Sequence, residues 1–264
     1  MAVARSGDTE LYWESTGAGA PVLLVMGLGM NATGWWRTVP ALAERFRVLA
    51  FDNRGVGRSD RPPGPYSVAQ MADDAAAVLD AAGEASAHVY GISLGGMIAQ
   101  EIALRHPDRV RGLVLGCTTP GGPNAAPASA TTLAFFERRG RMPAEEAVWA
   151  SVPYNYGPAT RAEHGDRIAQ DIAQRLRFPI EQEPYRAQLA AALNHDTYGR
   201  LGSIAAPTLV IHGAEDVMVL PANGRVLAER IPDARLVEGP GAGHLYFTDA
   251  PELDRAAGDF LAAL

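Results

Sequence analysis

Short apolar runs rich in branched residues alternate along this chain with longer amphipathic segments, and that alternation limits the fold more than any other feature of the sequence. The runs ELYWES (10–15), PVLLVMG (21–27), FRVLAFDN (46–53), AHVYGIS (87–93), VRGLVLGC (110–117), PTLVIHG (207–213) and ARLVEGP (234–240) read as strands. Among and after them, WRTVPALAERF (36–46), SVAQMADDAAAVLDAAG (67–83), GGMIAQEIALRHP (95–107), ANGRVLAERIP (222–232) and PELDRAAGDFLAAL (251–264) read as helices. The expectation is an α/β domain, a mostly parallel sheet flanked by helices.

The alternation breaks between Thr118 and Pro207. Turn-rich TTPGGPNAAPAS (118–129) leads into the helical stretches EEAVWAS (145–151), GDRIAQDIAQRLRF (165–178) and YRAQLAAALNH (185–195), with no run that reads as a strand. Helices inserted between one strand and the next predict a cap over the carboxyl edge of the sheet. The expected division is a core of 1–118 and 204–264 and a helical cap of 119–203.

Composition excludes several chemistries. All 23 basic residues are arginine, so a Schiff-base lysine, a lysine-held pyridoxal cofactor and a P-loop lysine are ruled out. A net charge of -7 works against attraction to nucleic acid or anionic membranes. Cys117 is the one cysteine, which leaves no intrachain disulfide and no cysteine metal cluster. The opening MAVARSGDTELYWESTG has neither a basic nor an apolar leader region, and no apolar run approaches the ~18 residues of a membrane span. With no dinucleotide fingerprint either, the expectation is a soluble, cytoplasmic protein with no cofactor, no metal and a small-molecule partner.

The segment GISLG (91–95) places Ser93 in G-x-S-x-G where an expected strand meets an expected helix. Glycines there allow a strained serine at the start of a helix, the arrangement that exposes a nucleophile. Alone the pattern is weak. A serine hydroxyl also needs a base, an acid that orients the base, and donors for the developing oxyanion. PTLVIHGAEDVMV supplies Glu215 and Asp216 after a strand, with Asp216 the preferred acid, and EGPGAGHLYF supplies His244 in a glycine-rich loop. The order Ser93, Asp216, His244 is the one this strand–turn–helix architecture uses. The oxyanion donors are expected at the N–H groups of Leu94 and, in VLLVMGLGMN, Leu28. His195 stays open as a substrate contact, and His88, His106, His164 and His212 carry no expected role.

These motifs resemble the α/β-hydrolase fold family, in its serine esterase and lactonase type, over essentially the whole chain outside the cap. FDNRGVGRSDRP is similar to that family's loop after the fourth strand, and APTLVIHGAEDVMVLP and GAGHLYF are similar to its acid and histidine segments. Within the family the chain is similar to 3-oxoadipate enol-lactonase-like and polyketide-methylesterase-like hydrolases. The resemblance implies a cap between the sixth and seventh strands and hydrolysis of an ester or lactone through an acyl-enzyme. The chain departs from the pattern at Met26-Gly27, where many relatives have His-Gly, so the side-chain bonding around the oxyanion loop must differ. Asp52, Arg54 and Ser59 read as structural.

The same triad also serves acyl transfer, perhydrolysis or C–C bond hydrolysis, and a ligand-binding protein without catalysis is the alternative of a different class. Met30, Trp35, Trp36 and Met97 near the turn, with Phe135, Trp149, Tyr154 and Tyr156 of the cap, are the expected substrate-lining residues. Together they predict an apolar or aromatic acyl or alcohol group. Few charges are expected in the pocket, which counts against a dicarboxylate lactone.

Overall fold

Strands covered on both faces need apolar residues at nearly every position, whereas strands with one face open to solvent alternate, and the chain contains both kinds. In the computed structural model, which describes residues 2–264, the strands are Ala2–Ser6 (β1), Thr9–Thr16 (β2), Ala20–Val25 (β3), Phe46–Phe51 (β4), Ala87–Ile92 (β5), Val110–Gly116 (β6), Thr208–Gly213 (β7) and Ala234–Gly239 (β8). They form one eight-stranded sheet in the order β1-β2-β4-β3-β5-β6-β7-β8. The β1–β2 and β2–β4 pairings are antiparallel and the rest parallel. All six residues of β5 and of β7 are buried, while β2, antiparallel between β1 and β4, alternates buried and open positions over its first half.

Side chains alternate across a strand, and the core divides accordingly. Leu23, Val25 and Val89 point to the layer formed by helices Val68–Ala81, Leu94–Arg105 and Pro221–Arg230. Val22, Leu24 and Tyr90 point to the opposite layer, which includes Leu42 of Thr38–Ala43 and Leu253, Ala257 and Leu261 of Glu252–Ala262. The fold is therefore the expected α/β-hydrolase architecture. β1 was not legible in the sequence: of its five residues only Ala4 is buried, which leaves no apolar pattern. The helix expected over 36–46 is shorter, because Ala32–Trp35 forms a 3₁₀ turn ahead of it and β4 already begins at Phe46.

Between β6 and β7 run the helices Ala130–Arg139, Ala144–Ala150, Val152–Asn155, Pro158–Glu163, Gly165–Arg175 and Gln182–Leu193. Among the described residues this segment holds no strand, only an isolated bridge between Gly121 and Asp196. It is tied to the loop after β3: Gly29 N–H donates to Gln188 Oε1 at 2.9 Å and Asn31 Nδ2 to Phe178 O at 3.1 Å.

A buried ion pair joins the loop after β4 to the first of the large helices. Arg54 donates from Nε and Nη2 to both oxygens of Asp74, at 2.5 and 2.6 Å. Removing one partner strands the other charge away from water. Asp74→Ala is expected to destabilise the fold by about 3–5 kcal/mol in denaturant unfolding. An apolar replacement of both residues is expected to recover most of that loss, and equal losses for the single and double variants contradict this account.

Candidate active site

Ser93 sits between β5 and the helix Leu94–Arg105 at φ 56° and ψ −122°. A non-glycine residue held there stores about 1–3 kcal/mol of backbone strain. Two bonds fasten it to the end of β6: Ser93 N–H donates to Gly116 O at 2.8 Å, and Thr118 Oγ1 donates to Ser93 O at 2.7 Å. The neighbouring glycines are required by contact. A Cβ at Gly91 would lie 2.1 Å from Gly95 O, and one at Gly95 would lie 2.0 Å from Val25 O. One at Gly96 would lie 2.6 Å from Thr118 Cβ, so this helix packs directly on the chain leaving β6.

The loops after β7 and β8 meet over this turn. His244 Nδ1 lies 2.8 Å from Asp216 Oδ2, both residues being buried, whereas Glu215 is exposed. Asp216 Oδ1 accepts the N–H groups of Met218 and Val219 at 2.8 and 3.0 Å. Burial alone would raise the Asp216 carboxyl. The His244 charge and the hydrogen bonds from His212 and His244 outweigh it and hold this carboxyl well below the usual carboxylate range. Asp249 steadies the histidine loop by accepting Gly243 N–H at 2.7 Å and Gly157 N–H at 2.9 Å.

The cluster Cys117, Asp216 and His244 brings three ligand-type atoms within 4.8 Å of one another. Burial pushes the Cys117 thiol, which a metal would bind as thiolate, well above its ordinary value. Its sulfur instead accepts Gly213 N–H at 3.4 Å, packing the loops after β6 and β7 together.

Leu94 opens its helix with no side-chain cap from Ser93. Leu28 lies in the loop after β3, where a Cβ on Gly27 would stand 3.1 Å from Ser93 Cβ. Asn53 Nδ2 donates to Met26 O at 2.9 Å, and Gln188, which receives Gly29 N–H, donates from Nε2 to Arg54 O at 2.8 Å. Asn53 and Gln188 thus hold the Met26-Gly27 segment. Asp52 binds Ala32 N–H and Arg58, and Ser59 Oγ donates to Asp52 O at 2.5 Å, so these residues brace the loops beneath the site.

Ser93, His244, Leu28 and Leu94 line one cavity of about 300 Å³, together with Met30, Met97 and His195. The other expected lining residues lie elsewhere. Trp35 is fully buried between Tyr90 and Phe247. Trp36 donates from Nε1 to Asp171 and carries the Arg37 guanidinium on its ring. Phe135 and Tyr154 stack on each other at 4.1 Å, and the next residue, Phe136, reaches the cavity instead. Trp149 is 50% exposed, and Tyr156 is buried with its hydroxyl toward Asp171. Apolar residues at helical spacing here serve packing.

Sequence reasoning missed four residues. His212 donates from Nε2 to Val219 O at 2.8 Å with the same nitrogen 3.4 Å from Asp216 Oδ2, a contact whose one signal was the i,i+4 spacing. Asn155 lines the cavity and its carbonyl receives Leu245 N–H at 2.8 Å. Arg139 and Arg175 also line the cavity. The expectation of few charges in the pocket is thereby corrected.

A family model described as the alpha/beta hydrolase fold matches residues 20–251. The chain belongs to the α/β-hydrolase fold family. By family it is a hydrolase of small molecules, and among the described residues no helix is long and apolar enough to cross a membrane. It is 38% identical over 258 residues, 96% of this chain and 95% of the other, to a protein of Azorhizobium caulinodans named "Putative carbamate hydrolase RutD". An enol-lactonase from Burkholderia xenovorans LB400 superposes with a TM-score of 0.88 at 27% identity, covering 98% of this chain and 99% of that one. A thermophilic esterase from Thermogutta terrifontis superposes with a TM-score of 0.85 at 29% identity, covering 99% and 97%.

Burial pushes His195 in the cavity wall down from 6.5 to about 4. An unfolded histidine binds a proton near pH 6.5 that the folded one refuses until about pH 4, so folding stability falls as pH is lowered through that window. His195→Gln is expected to lose less stability than the parent chain between pH 6.5 and 4.5 in denaturant titrations. Equal losses contradict this reading.

Proposed function

We propose that this hydrolase cleaves a carboxylic ester or lactone through an acyl-enzyme on Ser93. The buried bond from Asp216 to His244, facing the cavity of the strained serine, carries the reading. With Nδ1 of His244 engaged by Asp216, Nε2 is the nitrogen left for proton transfer. It takes the Ser93 hydroxyl proton as Oγ attacks the carbonyl carbon, then returns it to the departing oxygen as the ester bond breaks. Water attacks the acyl-enzyme by the same route. Asp216 keeps the imidazole in one tautomer and stabilises its protonated form. Its own low proton affinity suits this, since it stays ionised whenever the histidine is charged.

The N–H groups of Leu28 and Leu94 are assigned to the oxyanion, where one such donor is worth about a hundredfold or more in rate. Residues 119–203 are assigned as a cap, which supplies the part of the cavity wall that includes Leu189 and Leu193. The name of the Azorhizobium caulinodans relative brings a carbamate into the same scheme, because its carbonyl accepts the same attack. Acyl transfer and perhydrolysis change only the acceptor.

Ser93→Ala is expected to lower kcat on the best ester by something on the order of a millionfold, with folding intact. Acid release followed in a pH-stat over linear esters and ring lactones measures this. Asp216→Asn is expected to cost about ten-thousandfold. Near-parental turnover by Ser93→Ala would remove Ser93 from the nucleophile role.

A further inference from the structure

Two cations line the cavity wall with no carboxylate against them. Arg139 is the last residue of Ala130–Arg139 and Arg175 the last of Gly165–Arg175. Each is 7% exposed, and both reach the cavity that holds Ser93 and His244. Among the described residues neither forms an ion pair. Arg139 Nε has no hydrogen-bond partner, and Arg175 donates from Nη1 to the neutral Ser151 Oγ at 3.1 Å.

The neighbouring acids are already engaged. Asp171, one turn before Arg175, accepts from Trp36, Arg37, Tyr156 and Thr248. Glu181, beside both arginines in an adjoining recess, is largely exposed and pairs with Arg61 at 3.4 Å. Burial, with the like charge of Arg139 adding to it and Tyr156 and Asp171 opposing it, pushes Arg175 down to about 10, which leaves it charged at neutral pH.

Buried unpaired charge is costly. A position at a helix C-terminus offsets part of that cost, but it explains neither the burial nor the shared cavity. A substrate anion accepting from both guanidinium groups would offset the remainder, since charge-assisted bonds of this kind are the strong ones. The place is also right for a substrate. A Cβ on Gly29 would stand 3.2 Å from Arg139 Nη2, so that guanidinium lies beside the residue that follows Leu28. The Tyr185 ring, 4.6 Å from Arg139 Cζ, supports it from behind. Elsewhere the wall is mainly apolar, with Met30, Met97, Leu133, Leu189 and Met218, and its remaining polar side chains, among them Asn155 and His195, include no carboxylate. In such a wall a singly charged carboxylate is desolvated at less cost than a phosphate dianion.

We infer that Arg139 and Arg175 form an anion subsite that receives a carboxylate of the substrate. The substrate is then an ester or lactone with an apolar body and a carboxylate remote from the scissile bond. That last statement rests on the proposed serine hydrolase activity, whereas the subsite itself does not.

The test separates the two. Calorimetric binding of hexanoate and its neutral isostere hexanamide needs no turnover. Hexanoate is expected to bind the parent chain at least about tenfold more tightly, and to lose about a hundredfold in Arg139→Met or Arg175→Met, as truncating a partner of a buried charge pair does. Equal binding of the two probes overturns the subsite. So does hexanoate binding that survives both substitutions, which would place the carboxylate on the Leu28 and Leu94 N–H groups instead. Should one variant fail to fold, the other variant and the comparison on the parent chain still decide. In turnover, the kcat/KM preference for methyl hydrogen adipate over methyl hexanoate is expected to fall by a similar factor in these variants. Parallel loss on both esters contradicts the substrate assignment. Hexanoate binding as described, without turnover of either ester, refutes the hydrolase reading and leaves the subsite standing.

Discussion

The backbone at Ser93 is the constraint from which the rest of the site follows. A side chain at φ 56° is strained, and the strain persists because three separate elements hold the residue in place. The end of β6 binds it through Gly116 and Thr118, β3 approaches so closely that residue 95 must be glycine, and the helix Leu94–Arg105 begins at once behind it. Strain of about 1–3 kcal/mol is small beside the burial of the strands that carry it, each fully buried aliphatic side chain contributing roughly 1.5–3 kcal/mol. The sheet can therefore hold a reactive conformation that no isolated turn would keep.

The histidine is tied to the same strand from the opposite layer. Tyr246, two residues after His244, hydrogen-bonds through its hydroxyl to that of Tyr90 on β5, and Tyr90 also donates to Asp254 at 2.8 Å. Asp254 in turn accepts from Thr38 at 2.6 Å. Burial raises Asp254 to about 6 in spite of these donors, while Asp216, equally buried, is held low by two imidazoles. The difference between the two carboxyls is one of partners, imidazole in one case and hydroxyl in the other. The network thus fastens the loop that carries His244 to the strand that carries Ser93.

Much of this was legible in the sequence, and the part that was not has a physical cause. Strands covered on both faces leave continuous apolar runs, so β3, β5 and β7 were readable, whereas β1 buries only Ala4 and left no signal. The positions of Ser93, Asp216 and His244 were readable because each follows a strand in a loop of distinctive composition. The cavity wall was not. Trp35, Phe135 and Tyr156 looked like lining residues because they are aromatic and near the site, yet large apolar surface is what a core takes first. Arg139 and Arg175 did carry a signal: each falls on the buried stripe of its helix, with Thr132 and Phe135 in one case and Ile168 and Ile172 in the other. A cation at such a position needs a partner, and the partner expected here comes with the substrate.

The central claim is that Asp216 and His244 activate Ser93, and the most direct test is chemical labelling that requires no knowledge of the substrate. A fluorophosphonate probe should label the parent protein rapidly, with peptide mass spectrometry placing the adduct on Ser93. His244→Ala, folded by circular dichroism, should label at least about a thousandfold more slowly, because a serine without its base is a weak nucleophile. Labelling of another residue, or equal rates for the two proteins, would contradict the account.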